Sequence, residues 1–153
     1  MTNTERSASF QWDDVARRLH ALRTIWLGTV SADGAPHAAP VWLAVVGDEA
    51  YVFTSGASVK ARNLRIDPRA VLHSENGEDV LIVHGRLEFV GDPRDFPRVT
   101  AGFAEKYRNP GDDEFLPGQD PTADALFRVI PARALSWRLE DFAGSQRRWS
   151  STG

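Results

Sequence analysis

The chain has 153 residues, enough for one domain with a sizeable core, and its 42% hydrophobic and 25% charged content is that of a globular protein. A net charge of −3 gives no reason to expect a nucleic-acid or anionic-membrane partner. With no cysteine, a disulfide framework, a zinc–thiolate site and a thiol nucleophile are excluded.

Met1 to Ser9 are polar and lack the apolar core of a secretory signal, and no apolar run is long enough to span a bilayer, so a cytoplasmic protein is expected. Trp12, Val15, Ala16, Leu19 and Leu22 recur at helical spacing behind Asp13 and Asp14, which predicts an amphipathic helix within residues 10–23. Thr24 to Val30 reads as a strand and Asp33-Gly34 as a type I′ hairpin turn. His37 to Val46 reads as the returning strand, apolar on both faces; such a strand needs cover on both sides, and a second subunit is the expected source of one. Gly47-Asp48 turns into a strand over Ala50 to Ser55, and Ser58 caps a helix from Val59 to Ile66 that Asp67-Pro68 ends. Arg69 to Glu75 is a strand and Asn76-Gly77 a third hairpin turn. Asp79 to Val90 is a long strand with Leu81, Val83, Leu87 and Phe89 inward, and Gly85 marks a close approach of backbone or ligand.

Asp92 or Asp95 is expected to cap a helix whose stripe is Phe96, Val99, Phe103 and Tyr107. Asn109 to Asp124 is a loop of the length that is often functional or disordered. Leu126 to Leu139 returns to strand with a break at Pro131, and residues 140–153 form a tail carrying Phe142, Arg147, Arg148 and Trp149. No repeat or linker divides the chain. Residues 1–153 read as a single, mainly β domain: six or so strands in a closed antiparallel barrel with short helices.

The segment that carries chemistry runs from Phe53 to Leu64. A strand ends in Thr54 and Ser55, turns at Gly56 and enters the helix capped by Ser58, and helix N-termini hold anions through unpaired N–H groups. Lys60 and Arg62 stand in the first turns, where the macrodipole opposes cations by a few tenths to about 1 kcal/mol each. A phosphate seated there removes that conflict; two solvated helix cations are the other reading of the same residues.

Thr54-Ser55-Gly56-Ala57-Ser58-Val59-Lys60-Ala61-Arg62-Asn63-Leu64, followed by Asp67-Pro68-Arg69-Ala70, resembles the pyridoxamine 5′-phosphate oxidase-like split-barrel family. Leu27-Gly28-Thr29-Val30 with Asp33-Gly34 and Pro40-Val41-Trp42 is similar to its opening hairpin, and His84-Gly85-Arg86-Leu87-Glu88 to its central strand. The resemblance implies an antiparallel split β-barrel that forms homodimers, with FMN or the deazaflavin coenzyme F420 at the subunit interface. It implies that Thr54, Ser55, Ser58, Lys60 and Asn63 anchor the cofactor and that Pro40, Val41 and Trp42 lie beside its ring. It further implies that Trp137 and Arg147, ten residues apart, and then Trp149, shape the substrate space of the partner subunit.

Two departures bear on the activity. The arginine that oxidases of pyridoxamine phosphate carry for the FMN phosphate is absent from Ala38-Ala39-Pro40, and the usual Arg-Lys pair is Val59-Lys60. Both disfavour vitamin B6 oxidation and fit the F420 or general-reductase branch. No acid–base dyad or nucleophile stands out, no catalytic residue is assigned, and His20, His37, His73 and His84 lack metal-ligand spacing. The expectation is an oxidoreductase moving hydride between the cofactor and a small conjugated substrate, with the protein binding and orienting both. The alternative is a non-catalytic barrel that sequesters flavin or haem.

Overall fold

The computed structural model describes residues 10–151; Met1 to Ser9, read above as lacking a secretory core, lie outside them, as do Thr152 and Gly153. Helix α1 (Trp12–Ala21) turns Val15, Ala16 and Leu19 inward, and the Asp14 carboxylate accepts from the Gln11 amide at 2.8 Å to close its first turn. Next come β1 (Ile25–Val30), β2 (Pro36–Val41), β3 (Leu43–Val46), β4 (Glu49–Thr54), α2 (Val59–Ile66), β5 (Arg69–His73) and β6 (Asp79–Gly91). Helix α3 (Pro97–Lys106), β7 (Ala125–Arg138), the single-turn α4 (Phe142–Ser145) and β8 (Arg147–Ser150) complete the chain. No helix among the described residues is long and apolar enough to cross a membrane.

Every ladder between these strands is antiparallel, in the order β2-β1-β5-β6-β7-β4-β3, with β8 beside β7. The barrel is split and not closed, because β2 and β3 end the ladder without pairing to each other. Ile25, Leu27, Leu43, Val52, Leu72, Leu81, Val83 and Phe127 fill its interior. A second cluster, Ala44, Val99, Phe103, Tyr107, Leu116 and Leu126, lies under α3.

The strand expected from His37 to Val46 divides at Trp42, its first half pairing with β1 and its second with β4. Side chains satisfy the outer edge of β3. The Tyr107 hydroxyl accepts from the Leu43 amide (3.0 Å), Lys106 Nζ donates to Leu43 O, and His20 Nδ1 accepts from the Val45 amide (3.0 Å). Helices α1 and α3 of the same chain thus cover β3, where a second subunit was expected, while Pro36, Ala38 and Pro40 on β2 stay exposed.

Four local expectations are corrected. Asp33-Gly34 is not a type I′ turn: among the described residues only glycines have positive φ, and Gly34 (φ 88°) closes a longer turn in which Ser31 and Ala35 pair. The loop at Asn76-Gly77 is wider than a two-residue hairpin, running from Ser74 to Glu78. Asp92 caps only the 3-10 turn Pro93–Asp95, whereas α3 starts at Pro97 behind Phe96, with no side-chain cap. Phe89 sits at the bulged end of β6, 53% exposed, with its ring edge-on to Phe127. The close approach at Gly85 is backbone: the bulge opposite Pro131 brings Ile130 O against the position a Cβ would take.

Candidate functional site

The anion cradle forms where β4 hands over to α2. Ser58, extended at φ −71° and ψ 159°, caps α2 by accepting from the Ala61 amide (3.2 Å), and Thr54 Oγ1 donates to the same Ser58 oxygen (3.2 Å). One of these two hydroxyls donates to the other, so one hydroxyl proton of the pair is left to donate to a third group. Ser55 Oγ accepts from the Ala57 amide (3.2 Å), and the Gly56 amide donates to Asp124 Oδ1 (2.7 Å). Helix α2 has no acidic residue in its first turn, and Lys60 makes no ion pair among the described residues.

Lys60 lines a cavity of about 540 Å³ together with Pro40, Val41, Trp42, Thr54 and Ser55, so six residues picked out in the sequence meet around one space. Thr24, Trp26, Phe53, Glu75, Phe115, Asp120, Thr122 and Ala123 complete the wall. Those eight were missed. Alternation along β1 and β4 carries a signal for Trp26 and Phe53, and the unusual length of loop 109–124 one for the last four.

The other named residues stand apart from this cavity. Asn63 is buried and donates through Nδ2 to Thr29 Oγ1 (3.1 Å), tying α2 to β1. Trp137 packs edge-on against Phe142, with ring centroids 5.6 Å apart. Arg147 Nη1 donates to Gly144 O (3.0 Å) and Gln146 O (2.9 Å). Trp149, opposite Ala134 in the β7–β8 ladder, tilts against Trp12 at 5.4 Å.

Trp42 is braced from behind. Tyr107 stacks on it with centroids 4.1 Å apart and planes 6° off parallel, and the Arg23 guanidinium lies 5.3 Å from the Trp42 centroid. Arg23 in turn grips Asp112 with two hydrogen bonds of 2.9 and 2.6 Å, which hold the Asp112 carboxyl below the usual range. Asp112 opens the stretch whose later residues, Phe115 to Ala123, form the facing wall. Burial, aided by the nearby Arg23 charge, pulls the Lys106 ammonium down to about 8, and burial pushes the Tyr107 hydroxyl up to about 12.

A second cavity of about 540 Å³ lies on the outer face of β2, β1, β5 and β6, with His37, His73, His84 and Arg69 among its lining. His37 Nδ1 is buried without a hydrogen-bond partner among the described residues, His73 Nδ1 lies 2.8 Å from Ser74 O, and burial and then Arg133 lower the His84 pKa. No group of three histidine, aspartate or glutamate side chains among the described residues is placed to hold a metal ion.

An aromatic wall, a lysine without a counter-ion and free hydroxyl protons suit a planar ring that bears an anionic substituent. The fold has solved counterparts. A conserved hypothetical protein of Mycobacterium tuberculosis is 28% identical, with a TM-score of 0.65 over 98% of this chain and 85% of the other. An F420 reductase is 23% identical (TM-score 0.60, 77% of this chain and 94% of that one). The haem storage protein HutZ of Vibrio cholerae is 20% identical (TM-score 0.61, 80% and 91%). No curated protein sequence matches significantly. The family model for pyridoxamine 5′-phosphate oxidase matches residues 12–139, from the first turn of α1 to the end of the long strand β7, and the chain belongs to that family.

Proposed function

We propose that this chain is an oxidoreductase that binds FMN or F420 in the cavity between Trp42 and Lys60 and passes hydride to a small conjugated acceptor. The observation that carries the reading is Lys60: a half-buried cation in a cavity wall, with no ion pair among the described residues, beside the hydroxyls of Thr54 and Ser55. When bound, the flavin-type ring supplies the hydride chemistry. The protein's part is placement. Lys60, Thr54 and Ser55 hold the anionic group by charge-assisted hydrogen bonds, Trp42 and Phe53 offer flat apolar surface, and the loop residues Phe115, Asp120, Thr122 and Ala123 keep water from one side. Homodimerisation belongs to the same reading. The exposed Pro36, Ala38 and Pro40 of β2 would be covered by a second copy, whose Trp137, Arg147 and Trp149 would border the substrate space.

Absorption spectroscopy of the purified protein, followed by titration with FMN and F420 separately, tests the reading. Saturable binding of one of them with spectral perturbation is expected. Failure of both to bind would end it, and binding without reduction of any acceptor would leave a carrier in place of an enzyme.

The second cavity favours one other reading, haem binding, because His37 offers a buried imidazole nitrogen with no partner. Titration with haemin checks it: a Soret shift abolished by His37→Ala supports that role, and an unshifted Soret band removes it.

A further inference from the structure

Lys60 is the one cation among the described residues lining the cavity, and two carboxylates, Glu75 and Asp120, line it as well. Of the other charges nearby, Arg23 is paired with Asp112, and Asp124, a further negative charge, accepts from the Gly56 amide. Asp120 is held in place. Its Oδ1 accepts from the Thr122 amide (2.9 Å) and from Thr122 Oγ1 (2.7 Å). The loop that carries it is tied at one end by the Arg23–Asp112 pair and at the other by the Asp124–Gly56 bond. Once an anionic group of the cofactor is seated on Lys60, the two carboxylates remain as the unmatched charge of the wall.

We infer that this cavity selects neutral or cationic acceptors and turns away anionic ones. The inference rests on the cofactor reading above and names the substrate class for the same site. An arginine delivered by a second copy would cancel only one of the negative charges, so the balance keeps its sign. At separations of several ångströms and the effective dielectric of a partly open site, each carboxylate should weaken binding of an anion by about fivefold to tenfold.

The probes are two planar aromatics of equal size, 2-naphthylmethylammonium and naphthalene-2-sulfonate, each titrated by calorimetry into the FMN- or F420-loaded protein at low salt. The ammonium is expected to bind at least about tenfold more tightly, with the gap narrowing in 0.5 M salt. The double variant Glu75→Gln, Asp120→Asn should bring the two affinities within about twofold; both side chains keep hydrogen-bonding oxygens, so the Thr122 contacts survive. Equal affinities, tighter sulfonate binding, binding of neither probe, or a preference that persists in the double variant would overturn the inference. Cofactor uptake is measured first and separately. If neither cofactor binds, the cofactor reading fails alone, and the same titrations on the cofactor-free protein still decide the inference: with Lys60 unmatched the preference should be smaller, yet still removed by the double variant.

Discussion

The hydroxyl of Tyr107 joins two parts of the chain behind Trp42, donating to Arg23 O at 2.7 Å while accepting from the Leu43 amide at 3.0 Å. The ring that carries it is stacked on Trp42, so one side chain fixes both the edge of β3 and a wall of the cavity. Tyr107→Phe keeps the stack but leaves the buried Leu43 amide without its acceptor, at an expected cost of about 1–3 kcal/mol. Denaturant unfolding measures the loss. Fluorescence of Trp42, isolated in a background with the other four tryptophans replaced by phenylalanine, should change less in this variant than in Tyr107→Leu.

Stability should rise with pH between about 8 and 10, level off where the two titrations oppose each other, and fall from about 10.5 to 12. Lys106 has a folded pKa of about 8, below its value of 10.5 in the unfolded chain, so over that interval the unfolded state binds more protons and raising the pH favours the fold. Tyr107, raised from 10.0 to about 12, acts with the opposite sign, because there the folded state holds the proton. The lysine contribution is on the order of 2 kcal/mol after allowance for partial exposure. Urea unfolding of the protein and of Lys106→Met from pH 7.5 to 11 isolates it. The alkaline rise should be present in the first and absent from the second.

Lys60→Ala should weaken cofactor binding by about 1–3 kcal/mol, the range for a charge-assisted contact to an anion, while the melting temperature of the cofactor-free protein barely moves. Titration and thermal melting on the same preparation read both. Unchanged affinity would leave Lys60 as a solvated helix cation.

Trp149 distinguishes a role within its own chain from a role in a partner. Its ring lies against Trp12 and the barrel core, so Trp149→Ala should lower stability by about 1–3 kcal/mol at any protein concentration. If it also borders a partner's substrate space, turnover should fall further than the loss of folded protein explains. Unfolding curves and activity at matched folded fraction separate the two contributions.

Much of this architecture is legible from local pattern. The helical spacing from Trp12 to Leu19, the Ser58 cap and the two-residue turn at Gly47-Asp48 are each set by residues within a few positions of one another. The division of the chain at Trp42 is less so: Pro40 marks the first half as an edge strand, but the contacts that hold the second half apart lie some sixty residues away, in Lys106 and Tyr107. Thr54, Ser55 and Lys60 were visible because they border the glycine turn, whereas Pro40, Val41 and Trp42 were named only through the resemblance of the opening hairpin to the family's. The Phe115–Ala123 wall was not, since its place depends on the Arg23–Asp112 and Gly56–Asp124 contacts, and Glu75 comes to it from the separate loop between β5 and β6. Asn63 shows another limit: a short polar side chain on a helix reads the same whether it faces an anion or, as here, the Thr29 hydroxyl.

Strands β2 and β3 are neighbours in the chain yet form opposite margins of the sheet, with Trp42 alone between them. One residue is a short tether. The margins therefore diverge only with distance from Trp42, like the covers of a book held at its spine, and the cavity, which includes Trp42 itself, sits at the bound end. The two margins also differ in what they offer a strand from outside: the Leu43 and Val45 amides of β3 are taken by Tyr107 and His20, while on β2 the prolines at 36 and 40 have no amide to give.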